Sequence, residues 1–115
     1  MQLVARYNYA LDFGEPEAWA ETFTPDGSIE VPPGRFTGKA ALVEFARNFQ
    51  RDFGGTRHWT NNLLLDGNGD SARLRCYLWL IRNGTGATIW TGHYDDVLVK
   101  LPAGWRFLAR RVKTP

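Results

Sequence analysis

Apolar residues along the first part of the chain recur at helical spacing, and along the last half they alternate. Leu3, Val4, Tyr7, Ala10 and Leu11 form one stripe of a helix that Phe13-Gly14 ends. Pro16 suits the first turn of a second helix, with Glu15 and Glu17 near its positive end and Trp19 and Phe23 on its buried face. Thr24-Pro25-Asp26-Gly27 is expected to stop it. A short strand pair follows, Ser28–Val31 and Arg35–Thr37, joined by Pro32-Pro33-Gly34. A third helix starts near Lys39, buries Leu42, Phe45, Ala46, Phe49 and Phe53, and closes at Gly54-Gly55.

Four longer strands are predicted next: Arg57–Asp66, Ser71–Arg82, Thr88–Leu101 and Trp105–Val112. The turns between them are short and carry glycine, which favours antiparallel hairpins. Helices followed by a meander of strands give an α+β fold, with helices covering one sheet face. Long strands twist and curl, so the sheet and helices should enclose a cavity.

Composition narrows the function more than the fold. A chain of 115 residues is one domain with room for a core. The net charge of +2 and the scattered arginines give no basis for nucleic-acid binding. Cys76 is the sole cysteine and sits in an apolar strand, so neither an internal disulfide nor a thiolate metal cluster is expected. With two histidines and carboxylates at no ligand spacing, no metal site is expected, and no cofactor is required. No apolar stretch is long enough to span a bilayer. The N-terminus lacks a charged-then-apolar signal pattern, so a cytoplasmic location is the expectation. Asn83-Gly84-Thr85 reads as a turn.

Candidate chemistry gathers at Thr56-Arg57-His58-Trp59-Thr60-Asn61-Asn62, the opening of the third predicted strand. Strict alternation places His58 with Thr60, Asn62 and Leu64 on one face, and Trp59, Leu63 and Leu65 on the other. The first set reads either as a cavity lining or as an exposed face. Tyr7 lies inside the apolar stripe of the first helix and reads equally as core. Asp12 falls about 140° from the stripe centre in an ideal helix, on the solvated side, unless the helix turns at Phe13-Gly14. His93 shares a face with Thr91 and Asp95, opposite Trp90, Tyr94 and Asp96. It reads as a second pocket donor or as a sheet-surface residue. Asp95, Asp96, Arg110 and Arg111 are expected to make structural cross-strand pairs. Trp79, Trp90 and Trp105 could line a ligand site, but fit core or an oligomer interface better.

The order and spacing of several segments resemble the SnoaL-like proteins of the nuclear transport factor 2-like superfamily. The segments are Ala5-Arg6-Tyr7 through Ala10-Leu11-Asp12, Trp19, Phe23-Thr24-Pro25-Asp26-Gly27 and Gly38-Lys39-Ala40-Ala41. Further along come Arg57-His58 with Asn61, Gly92-His93-Tyr94-Asp95-Asp96, and Gly104-Trp105-Arg106 through Arg110. The resemblance covers nearly the whole chain. It implies a cone-shaped, barrel-like antiparallel sheet closed by about three N-terminal helices around a pocket, in a homodimer or homotrimer. The first helix begins later than is usual in the family, which would expose part of the pocket rim.

In its active residues the chain is most similar to bile-acid 7α-dehydratase and scytalone dehydratase. The tyrosine and aspartate of the first helix and the histidine of the following strand carry over to Tyr7, Asp12 and His58. The resemblance implies cofactor-free elimination of water from a β-hydroxy ketone. His58 would be the acid/base, Asp12 its orienter and Tyr7 the donor to the carbonyl oxygen. His93, Asn62 and Trp59 would contact a small hydrophobic carbonyl compound. The superfamily also holds ketosteroid isomerases, polyketide cyclases and non-catalytic subunits, so isomerisation, cyclisation and ligand binding without catalysis stand as alternatives.

Overall fold

The protein is described by a computed structural model covering residues 2–32 and 34–114. In chain order the elements are α1 (Gln2–Asp12), α2 (Pro16–Ala20), β1 (Phe23–Val31), β2 (Gly34–Thr37) and α3 (Lys39–Phe53). The strands β3 (Thr56–Asn68), β4 (Ser71–Arg82), β5 (Thr88–Leu101) and β6 (Gly104–Lys113) complete the fold. The expected α+β class and three helices are present. The turn expected at Pro32-Pro33-Gly34 has its middle residue outside the described residues.

The strands form one curved, open six-stranded sheet in the order β2-β1-β6-β5-β4-β3. It is mixed rather than wholly antiparallel. The last three hairpins are antiparallel as expected, but β1 runs parallel to β6. β1 reaches that position because α3 separates the β1–β2 hairpin from the meander, and the returning chain closes its last strand against β1.

Thr24-Pro25-Asp26-Gly27 does not end α2 as expected; it lies inside β1. The register slips there, between Phe23 and Ser28. The Thr24 hydroxyl donates to Asp26 Oδ1 at 2.9 Å, a local bond that stands in for ladder pairing. Gly27 is required by contact, because a Cβ would stand 2.9 Å from the Phe107 carbonyl oxygen.

β4 alternates without a break. Ala72, Leu74, Cys76, Leu78 and Leu80 are buried, while Tyr77 and Trp79 are exposed. The buried set defines the sheet's inner face, which the helices cover. Leu3, Val4, Tyr7 and Leu11 of α1, Trp19 of α2 and Leu42 and Ala46 of α3 pack there with Ile29, Leu74, Leu98 and Phe107. Aromatic rings fill the centre: Tyr7 lies 5.4 Å from Trp19, 5.6 Å from Phe107 and 6.3 Å from Tyr94. The interior is therefore packed at its core, and open grooves flank α1 on two sides, one against β3 and one against α2 and Arg106. Among the described residues no helix is long and apolar enough to cross a membrane.

β3 departs from strict alternation. Asn61 pairs with Tyr77 but Leu64 pairs with Arg75, so β3 carries one extra residue between them. Asn62 takes φ 55° to make this bulge. Leu64 therefore shares the outer face with Arg75. Leu65, opposite the buried Leu74, joins His58 and Thr60 on the inner side. The face assignment from simple alternation is right up to Asn61 and reversed beyond it.

Candidate active site

Asp12 closes α1 and is buried, not solvated. Its two carboxylate oxygens hold one residue of β3 at two points. The His58 backbone N–H donates to Oδ2 at 2.9 Å, and the His58 ring bonds through Nδ1 to Oδ1 at 2.5 Å. Both side chains are nearly sealed, at 4% and 5% exposure. The helical wheel alone would leave Asp12 in solvent; it is buried because β3 packs on the flank of α1 rather than on its stripe centre.

The packing works because two periodicities match. Asn8 and Asp12 stand one helical turn apart, about 6 Å along the axis. His58 and Thr60 stand two residues apart on one strand face, about 6.6 Å. Each helix residue therefore meets one strand residue. Asp12 holds His58, and the Asn8 amide Nδ2 donates to Thr60 Oγ1 at 3.2 Å. Asn8 Oδ1 is buried and meets no protein donor among the described residues.

A groove of about 530 Å³ runs along this seam between α1 and β3. Val4, Ala5 and Leu63 supply apolar wall, and Asn8, Asp12, His58 and Thr60 supply the polar floor. Phe49 packs against the His58 ring at 5.4 Å between centroids, and Tyr7 meets it edge-on at 6.3 Å. With Nδ1–H directed at a carboxylate, the imidazole is fixed in one tautomer and Nε2 is left as the basic nitrogen.

The other expected residues part company. Tyr7 touches His58 but does not line the groove; it is 1% exposed, within the aromatic core. Burial raises its hydroxyl pKa above the usual phenol value, opposed by the Arg110 guanidinium. The role of carbonyl donor does not fit that position. His93 is on the opposite face of the sheet, in register with exposed Tyr77 and with Lys113, so it cannot serve the groove as a substrate contact. Asn62 forms the bulge at φ 55° and is not among the residues that line the groove. Trp59 reaches the groove rim, but its ring packs 6.5 Å from Trp79 on the outer face.

Sequence reasoning missed Asn8. The available signal was its place one turn before Asp12. It also undervalued Arg110, which is 0% exposed beside equally buried Asp96. Arg110 Nε lies 3.2 Å from Asp96 Oδ1, and its guanidinium carbon stacks 3.3 Å from the centre of the Tyr94 ring. Burial pushes the Asp96 carboxyl up to about 7 although Arg110 opposes it. The four residues expected to pair across strands stand in register, Asp96 with Arg110 and Asp95 with Arg111. The Asp95 side chain, however, pairs with Arg73 at 3.1 Å and Lys113 at 3.6 Å. Cys76 is buried, and that burial raises its thiol pKa. Among the described residues, no three His, Cys, Asp or Glu side chains converge as a metal site.

Solved structures share this arrangement of helices and sheet. A point variant of a Mycobacterium tuberculosis protein of unknown function is 32% identical, with a TM-score of 0.92, covering 99% of this chain and 68% of that one. A Nostoc punctiforme protein of unknown function with a cystatin-like fold is 26% identical, with a TM-score of 0.94, over 100% and 87% of the two chains. A putative scytalone dehydratase from Novosphingobium aromaticivorans is 27% identical, with a TM-score of 0.86, over 99% and 80%. No curated protein matches the chain in sequence. The SnoaL-like domain family matches residues 1–111, and with that span and this fold the chain belongs to the SnoaL-like family of the nuclear transport factor 2-like superfamily.

Proposed function

We propose that the protein is a cofactor-free acid/base enzyme that dehydrates a β-hydroxy ketone of largely apolar character. One observation carries the reading: a histidine whose backbone and ring are both fixed by one buried carboxylate, at the floor of a groove with apolar walls. The likeness to a putative scytalone dehydratase supports the same class of reaction.

The chemistry follows from the dyad. The His58 Nε2 lone pair takes a proton from the carbon next to the carbonyl. The C–H electrons form a carbon–carbon double bond, and the carbonyl π electrons move to oxygen as an enolate. His58, now an imidazolium, is stabilised by the Asp12 carboxylate at Nδ1–H. The enolate electrons then return to reform the carbonyl and make the new alkene. The β-hydroxyl departs with the proton from Nε2 as water, and His58 is regenerated. Isomerisation or cyclisation would pass through the same enolate and differ only in where the proton or carbon electrophile is delivered.

The test is a panel of β-hydroxy ketones followed by enone absorbance, with native mass spectrometry for a co-purified ligand guiding the choice. His58→Ala and Asp12→Asn should each lower kcat by ~10²–10⁴ with the fold retained. The Asp12→Asn protein should also lose the low-field Nδ1–H proton resonance of His58. Turnover that survives His58→Ala, or a panel with no product at all, rejects the dehydratase reading.

A further inference from the structure

We infer that Thr60 is the hydrogen-bond donor to the substrate oxygen, and that Asn8 is the residue that positions it. The inference rests on the acid/base reading of the groove and supplies the donor that reading lacks. Tyr7, the expected donor, is walled into the aromatic core and does not line the groove. Thr60 does line it, on the same strand face as His58 and two residues further along. Their Cα atoms stand about 6.6 Å apart. Side chains converging from those two positions suit a base at an α-carbon and a donor at the carbonyl oxygen, which are bonded to the same carbon of the substrate.

The bond from Asn8 sets the direction of the Thr60 hydroxyl. Nδ2 donates and Thr60 Oγ1 accepts, at 3.2 Å. A hydroxyl has a single proton. Since Asn8 does not accept that proton, it is left for another acceptor. Accepting one hydrogen bond also strengthens a hydroxyl as a donor. As the carbonyl oxygen gains charge on becoming an enolate, the Thr60 bond to it strengthens, which is the condition for lowering the barrier rather than tightening ground-state binding. Asn8 thus does for Thr60 what Asp12 does for His58. One helix face carries two orienting residues, and one strand face carries the two residues they orient.

Substitutions separate this role from a structural one. Thr60→Val keeps the shape and removes the hydroxyl; kcat should fall by ~10²–10³ with KM changed by only a few-fold. Thr60→Ser should restore the rate to within a few-fold. Asn8→Asp replaces the amide donor with a carboxylate that accepts the Thr60 proton, so kcat should fall as in Thr60→Val although the seam remains bonded.

A binding measurement with 2-naphthol gives a readout without turnover, because its ionised form is a flat oxyanion. Absorbance titration of bound naphthol should show ionisation at a pH at least about one unit lower in the wild type than in Thr60→Val. Loss of turnover on His58→Ala with no effect of Thr60→Val on kcat or on naphthol overturns this inference and leaves the dehydratase reading standing. Thr60-dependent naphthol ionisation without dehydration of any β-hydroxy ketone does the reverse. Naphthol that does not bind at millimolar concentration, or ionises alike in both proteins, overturns the inference.

Discussion

Arg110 carries a guanidinium into a part of the molecule with no solvent exposure, and what surrounds it decides what it is worth. Tyr7, Tyr94 and Phe107 offer ring faces within 4.6 Å of its central carbon, and Asp96 stands beside it as the counter-charge. The Asp96 carboxylate is close but poorly aligned, since among the described residues neither of its oxygens completes a hydrogen bond. Removing two charges from water costs several kcal/mol per ion, and a misaligned pair repays little of it. Arg110→Met alone should destabilise the protein by about 3–5 kcal/mol, because it strands Asp96. The double variant Asp96→Leu with Arg110→Met should recover most of that loss. Urea denaturation of the two variants checks the pair; equal losses would mean that shape, not charge, is what Arg110 contributes. The pH response has a definite sign. Asp96 folded has its carboxyl raised from 3.8 to about 7, so folding takes up a proton between those values. Its contribution to stability is full below about pH 4 and is lost as pH rises through about 7. Residue types at these positions were readable as cross-strand pairs. Their complete burial was not, because nothing local to Tyr94-Asp95-Asp96 says which side of the sheet the helices will cover.

Elements were legible where the period held and illegible where it broke. The helices are found close to where apolar spacing places them, and β4 alternates as read. β1 was cut short because Thr24-Pro25-Asp26-Gly27 has the composition of a turn, yet a strand edge with irregular pairing tolerates it. The bulge in β3 left no hydrophobic signature, since Leu63, Leu64 and Leu65 are all apolar and satisfy either register. Only Asn62 hints at it, as a residue type tolerant of φ above zero. That same tolerance yields a prediction for the element. Asn62→Val forces a β-branched residue into φ 55° and should cost about 1–2 kcal/mol. Asn62→Gly should be neutral or slightly stabilising. Thermal melts of both variants are the check, and equal melting temperatures would mean that the bulge relaxes. The groove itself was half-legible for a related reason. His58 was identified by its chemistry. Asp12 was reached only through the family resemblance, because a helical wheel reports the angle to the stripe, whereas a strand packed on the helix flank makes that flank interior.

At the scale of the whole molecule, the curved sheet has an inner face on which three helices pack and an outer face left with large aromatic side chains. Trp59, Tyr77 and Trp79 are 59%, 58% and 47% exposed, and Leu64 adds 55% beside them. Trp59 and Trp79 pack on each other across β3 and β4, and the bulge is what turns Leu64 to this same side. His93 lies further along it, with Asn61, Thr91 and Gly92 around it. Contiguous exposed apolar patches of this kind are uncommon on monomers. Aromatic residues make up 14% of the chain, more apolar surface than three short helices can cover. We therefore propose that the chain assembles with copies of itself through the outer face, which gives His93 a place at an interface rather than in the groove. Tryptophan and tyrosine at the centre of such a contact carry a large share of its energy. Trp79→Glu should then yield a folded monomer, because it sets like charges facing one another in a dry patch, while leaving the groove on the other side of the sheet intact. Light scattering at micromolar concentration reads the assembly, and the low-field His58 resonance reports whether the seam between α1 and β3 survives in the monomer. A wild-type protein that scatters as a monomer overturns the assembly. A Trp79→Glu variant that remains an oligomer moves the interface to another surface.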